Sequence, residues 1–425
     1  MTGLTGASRA HQADADGHQA PQRGALPAVL WACFLGCSWT WIIGMVFPVL
    51  LLRDYGPWGW VVFAVPNVLG AAAMGVVLGK PAWSARLVER HRDMGLRFSE
   101  VTIAYHAFVL GWLMMRLWGL WFAASAIGVI LILYSRIRGD RSAGIVAVIV
   151  TLASLVWLGG GWWLSPDDAW VGVFREQSAI TPRLGLLDLI LFAPAAVLGF
   201  LCCPYLDLTF HRARMATAPL TGMAAFVLGF GVVFLAMIVG TLMYAGLLLP
   251  ALSPRPFELP QTWNVVLSVH LTVQLAFTVA IHAHEVARRG GAGAIWRMVG
   301  LAAAALLVGW WVGIPPAVSN AGSPPTSLTT GEVIYRLFLL AYGLVFPAYV
   351  WLCMLPTLRP TNPRTRRAIF VFGALVCLPM GWLFFIGGRS AWIIAIVAVL
   401  AALRIIVETT PRFVEAPVQS RDADA

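Results

Sequence analysis

Charge is what this chain has least of. Only 11% of its 425 residues are Asp, Glu, Lys or Arg, against roughly 25% in a soluble domain, and an ordinary water-soluble enzyme is excluded on that ground. Lysine is nearly missing, since all but one of the 29 basic residues are arginine. No polar stretch between the apolar runs is long enough to fold as a separate domain. No His-Glu-x-x-His, Gly-x-Ser-x-Gly, phosphate-loop or dinucleotide fingerprint occurs, so the sequence offers no catalytic residue and calls for no cofactor. Residues 1–26 lack an apolar stretch of the kind a secretion signal needs. They and residues 409–425 read as disordered cytoplasmic tails. Cys33, Cys37, Cys202, Cys203, Cys353 and Cys377 all fall inside apolar runs, which rules out a disulfide framework outside the membrane.

What the chain has in abundance is apolar length. Hydrophobic residues make up 60% of it, in runs near the roughly 20 residues a helix needs to cross a bilayer. Twelve crossings are expected, over 27–52, 57–79, 99–116, 118–135, 143–164, 185–206, 218–249, 263–286, 295–314, 333–355, 367–386 and 390–408. The stretch 101–135 is the ambiguous one: one helix would bury Arg116 in hydrocarbon, and two short helices turning near Arg116–Gly119 avoid that cost. The fold class is therefore an all-α polytopic membrane protein.

The formal charge of +10 sits in short clusters between the runs rather than in one patch, a topology signal and not a nucleic-acid footprint. With both ends on the cytoplasmic face of the cell membrane, the opposite face receives only Arg53, Arg116, Arg175, Arg183, Arg255, Arg336 and Arg389. All other basic residues face the cytoplasm, as the positive-inside rule requires. The loop 81–97 sets Trp83, Leu87 and Val88 against Arg86, Arg90 and Arg92, the pattern of an amphipathic helix lying at the inner headgroups.

Two crossings combine Gly, small polar residues and Pro, which free backbone groups in a dry medium. The first, FLGCSWTWIIGMVFP, holds Gly36, Cys37, Ser38, Gly44 and Pro48; the sixth, FAPAAVLGFLCCPYLDLTFHR, holds Pro194, Gly199, Cys202, Cys203, Pro204 and Asp207. Being five apart, they run in opposite directions. Discontinuous helices at matching places in two inverted halves point to a secondary transporter's binding site, and simple proline kinks are the plainer reading. The eighth crossing is the most polar: His270, Gln274 and Thr278 step by four, with Ser268 and Thr272 beside them, so this helix should line the centre. His270 with Gln274 could carry a proton, or His270 could simply pack. His282, His284 and Glu285 beside Arg288 and Arg289 read as a solvated cluster at the inner end.

The layout of broken helices at positions one and six resembles the LeuT-type fold of the amino acid, polyamine and organocation superfamily, with two helices added. CPYLDLTFHRARMATAPLTGMAAFVLGF and YGPWGWVVFAVPNVLGAAAMG are similar to segments of solute:sodium symporters, with His211-Arg212 where those have Gln-Arg. The resemblance implies repeats over about 27–164 and 185–355, extra helices over 367–408, and a small solute with sodium or a proton as partner. It places Gly36, Cys37, Ser38, Cys202, Cys203, Pro204, Asp207, His270, Thr272 and Gln274 at the site. The family's paired hydroxyls for sodium in the eighth helix are missing. LCCPYLDLTFH also resembles the Met-Pro-His helix of Nramp-type metal transporters, but the Asp-Pro-Gly of their first helix has no counterpart in GCSWTW. A soft-metal site from Cys37 with Cys202 or Cys203 would need the two breaks to meet; small buried cysteines are the alternative. Asp207 is expected either in the site or paired with Arg212 or Arg214. A sensor or scaffold on a transporter fold remains an alternative, as does a lipid or glycosyl transferase using Asp167 and Asp168.

Overall fold

A computed structural model describes residues 21–40, 42–165, 182–252, 258–314, 328–357 and 362–410. Of the tails expected at 1–26 and 409–425, residues 1–20 and 411–425 lie outside the described residues, as do Asp167 and Asp168, while Gln22 bridges to Thr217 and helices take in Ala25, Leu26 and Thr409. Among those described there is no β-strand, only an isolated bridge from Gln22 to Thr217. The helices are α1 (Ala25–Trp39), α2 (Ile42–Tyr55), α3 (Pro57–Val77), α4 (Pro81–Arg136), α5 (Asp140–Leu164), α6 (Leu186–Cys202), α7 (Leu208–Ala216), α8 (Pro219–Leu248), α9 (Gln261–Gly313), α10 (Thr330–Met354), α11 (Pro363–Phe385) and α12 (Trp392–Thr409). Nine of the described helices are long and apolar enough to cross a membrane, and ten if α1 and α2, bent by 55°, form one broken span. The chain is a multi-pass membrane protein.

Local chemistry sets the helix starts. Pro57, Pro81, Pro219 and Pro363 stand in first turns, where a missing N–H costs nothing. Asp207, Thr329 and Asn362 cap α7, α10 and α11 by accepting from the amides of Thr209, Glu332 and Arg364.

The two longest helices each contain one glycine at positive φ. Gly119 in α4 has φ 83°, ψ 177° and Gly291 in α9 has φ 69°, ψ −178°, a region that only glycine occupies without strain. The turn expected at Arg116–Gly119 therefore falls on Gly119 alone, and the loop expected between 286 and 295 shrinks to Gly291. The loop 81–97 does not lie apart at the headgroups. It is the first part of α4, and its Val88 and Leu96 pack on Leu208, Val286 and Ala294.

α4 and α9 share the most extensive helix contact among the described residues. Gly111, Gly309 and Gly313 let their backbones touch: a Cβ on Gly309 would strike the Phe108 carbonyl, the small-residue contact of membrane helix pairs. Elsewhere α1 packs on α5 and α8, while α6 packs on α10 and α3. α11 and α12 pair with each other and close over α10 and α6.

Candidate functional site

The first break comes after Trp39, later than the Gly36–Ser38 expected from sequence; α1 ends there and α2 starts at Ile42. Backbone groups on both sides of it are met by side chains, three of them from distant helices. The Ile42 amide donates to His106 Nε2 (3.4 Å), and its carbonyl accepts from Tyr335 (3.2 Å). His106 donates from Nδ1 to the Thr102 carbonyl (2.7 Å), which leaves Nε2 as the acceptor. The Thr40 hydroxyl returns to the Gly36 carbonyl (2.7 Å), and Tyr244 donates to that of Met45 (2.8 Å).

Beside this break lies a cavity with about 540 Å³ of empty space, walled by Trp39, Asn67, Phe192, Gly199, Cys203 and Tyr342. It lies among α1, α2, α3, α6, α10 and α11 and is partly open. Its polar groups are few. Asn67 accepts from the Trp39 indole (2.5 Å), Cys203 donates to the Tyr342 carbonyl (3.2 Å), and the Tyr342 hydroxyl meets Thr102 (2.9 Å).

Of the sequence-predicted residues, Cys203 lines this cavity; Gly36, Cys37 and Ser38 do not. Cys37 instead turns to α5 and α9. Its thiol lies 3.1 Å from Thr151 Oγ1 and 3.8 Å from Gln274 Nε2, which also donates to Ser154 (2.9 Å). Thr278 donates to the Cys37 carbonyl (3.3 Å), and Ser38 to that of Leu35 (3.0 Å). Cys37 and Cys203 thus keep separate partners, and the meeting that a shared soft-metal site requires is not found. Among the described residues no group of three or more His, Cys, Asp or Glu is placed to hold a metal. His270 and Gln274 are fully buried, and both His270 nitrogens and Gln274 Oε1 have no hydrogen-bond partner, as is true of Thr272 Oγ1.

α6 ends at Cys202 and tightens into a 3₁₀ turn, Cys203–Leu206, led by Pro204. Asp207 follows, fully buried. Its Oδ1 accepts from the Thr209 amide (2.8 Å) and hydroxyl (2.7 Å), while Oδ2 has no hydrogen-bond partner and lies 3.9 Å from His282 Nε2. Burial pushes the Asp207 carboxyl up to about 7, against the lowering effect of Thr209. The expected pairing with Arg212 or Arg214 is not made. Arg212 reaches Asp140 (2.8 Å) and Glu285 (3.5 Å), and Arg214 donates to the Leu78 and Gly79 carbonyls that end α3. Nor are His282 and Glu285 a solvated cluster: both are fully buried, His282 against Ser99 (3.1 Å) and Glu285 against Arg289 (2.9 Å).

At the other end of the bundle a second ionic cluster joins α2 to α10. Glu332 accepts from Arg53 (2.6 Å) and Arg336 (2.9 Å), and Asp54 takes Arg336 and Arg183 (3.6 Å). Arg336, assigned from sequence to the outer face, is spent inside this cluster. His106, Tyr335, Asn67 and Tyr342 carried no signal in the sequence beyond being polar or aromatic in apolar runs. No family model, curated protein or solved structure matches the sequence.

Proposed function

We propose that this chain is a secondary transporter that moves a small, largely apolar solute through the cavity at the α1–α2 break. The observation that carries the reading is that cavity: apolar, and built beside a broken helix whose Ile42 is held by His106 and Tyr335.

An inverted arrangement supports it. Matching α1/α2, α3, α4 and α5 with α6, α8, α9 and α10 carries the α1–α5 contact onto α6–α10, and the α1–α8 contact onto α6–α3. Gly119 and Gly291 share one backbone conformation at equivalent places. The ion pair of Arg53 with Glu332 has its counterpart in Arg212 with Asp140 at the opposite end. Counting the two glycine breaks as turns gives twelve crossings: five, five inverted, and two. Both ends then face the cytoplasm across the cell membrane, in keeping with the arginine distribution. The layout resembles the LeuT-type fold.

The eighth crossing lacks the paired hydroxyls that the resembled family uses for sodium, and its Thr278 donates to the Cys37 carbonyl; we therefore assign coupling to a proton, with the buried Asp207 and His282, 3.9 Å apart, as the pair that would hold it. A sensor would bind in the same cavity without moving its solute. The test is a thermal-shift screen of purified protein against small organic solutes, sodium, soft metals and pH, repeated on Ala196→Phe, which fills the cavity. A solute that stabilises the wild type and not the variant is expected; stabilisation of both equally would place binding elsewhere.

A further inference from the structure

Where α4, α10 and α11 meet at the arginine-rich end, Arg90, His91, Tyr349, Cys353, Arg366 and Arg367 surround a second cavity, with about 270 Å³ of empty space. We infer that it binds the phosphate group of an anionic phospholipid.

The pocket follows from the local backbone. α4 is kinked at His91 (φ −119°, ψ 23°), and the His91 ring meets the Tyr349 hydroxyl at 3.0 Å, which holds the two helices apart around the cavity. α10 ends in a wide π turn, Val350–Met354, whose unpaired carbonyls need donors. Arg366 supplies them, giving Nε to Leu352 (2.8 Å) and a terminal nitrogen to Leu355 (2.6 Å). It is buried and committed to α10. Arg90 and Arg367 are exposed, lie on the same cavity, and make no ion pair among the described residues. Pro363, in the first turn of α11, adds the positive end of a 23-residue helix.

Asp93 acts on Tyr349 and Glu408 on Arg366, Glu89 adjoins Arg90 in sequence on the exposed surface, and Glu408 is held by Arg404 at 2.5 Å. Positive charge therefore exceeds negative at a small, partly open cleft. Two exposed guanidiniums supply the forked donors that match phosphate oxygens. The pocket sits at the kink of α4 and at the facing ends of α10 and α11, on the side where the arginine clusters put the inner headgroups, and basic clefts between membrane helices collect anionic lipids there. Acyl chains of such a lipid would lie along the exposed apolar faces of α11, including Val371, Phe372 and Leu375.

The inference is independent of whether the chain transports anything, and it is tested on the full-length protein. Purified protein is exchanged into neutral detergent and titrated with phosphatidylglycerol, phosphatidylcholine or inorganic phosphate, with bound lipid counted by native mass spectrometry. Phosphatidylglycerol should be retained in preference to phosphatidylcholine, and inorganic phosphate should neither bind measurably nor displace it at equal concentration. Arg90→Gln with Arg367→Gln should weaken retention about thirtyfold, with Arg366 left to close α10. Arg90→Lys with Arg367→Lys, which keeps the charge, should restore part of it and serves as the folding control. Equal retention of both lipids, or unchanged retention by the double Gln protein, would overturn the site. Displacement of the lipid by inorganic phosphate alone would overturn the lipid as its occupant.

Discussion

At the scale of single residues, the fully buried Asp207 is the most consequential. A carboxyl whose folded-state value is raised from the ordinary 3.8 to about 7 binds its proton more tightly when folded than when unfolded. Its contribution to stability is full at low pH and declines as pH rises from about 4 to about 7. Glu285 nearby raises it further, and Thr209 opposes. Asp207→Asn should therefore remove that decline: melting curves of wild type and variant should separate as pH rises through this window, with the variant the more stable at pH 8 relative to pH 5. Parallel curves would show that Asp207 is not the titrating group. His106 is the second such residue. His106→Phe leaves the Ile42 amide without its acceptor, at a cost of about 1–3 kcal/mol, read as a lower denaturation midpoint. The polar stripe of His270, Gln274 and Thr278 was legible in sequence because a period of four needs no partner to be seen. The acceptor role of His106 was not, since Ile42 lies 64 residues away and nothing in either neighbourhood names the other.

At the scale of elements, breaks divide into those written locally and those imposed by packing. The turn at Gly119 was readable because Arg116 beside it could not sit in hydrocarbon. The shift of the first break from Gly36 to beyond Trp39 was not, because Gly36 is required for another purpose: a Cβ there would meet Val233 of α8. The glycine in the sequence marks a helix contact, and the break occurs one turn later. Gly291 needs its own conformation, since a Cβ would meet nothing within 4 Å while φ is +69°. Gly291→Ala should cost about 1–3 kcal/mol by backbone strain alone, whereas Gly300→Ala, in open space on the same helix, should be neutral or slightly stabilising. Similar melting temperatures for the two variants would show that α9 runs straight through Gly291.

At the scale of the whole molecule, an ionic cluster joins elements at each end of the bundle. Arg53 and Glu332 are 279 residues apart, so their pairing was invisible in a sequence where both looked like isolated charges at helix ends. Glu332→Ala leaves Asp54 as the one carboxylate for Arg53, Arg183 and Arg336, and loss of one partner from such a pair costs about 3–5 kcal/mol when buried; the remaining Asp54 and the partial exposure of the arginines lower that figure. Arg212→Ala should loosen the opposite end in the same way. If the chain alternates between two openings, each cluster fastens one of them. The most direct measurement is labelling of Ala196→Cys, in a protein whose natural cysteines are replaced, by a membrane-impermeant maleimide applied to either face of proteoliposomes. The account predicts labelling from both faces, increased from the arginine-rich face by Arg212→Ala and from the other by Glu332→Ala. Labelling from one face only, unmoved by either substitution, would contradict it.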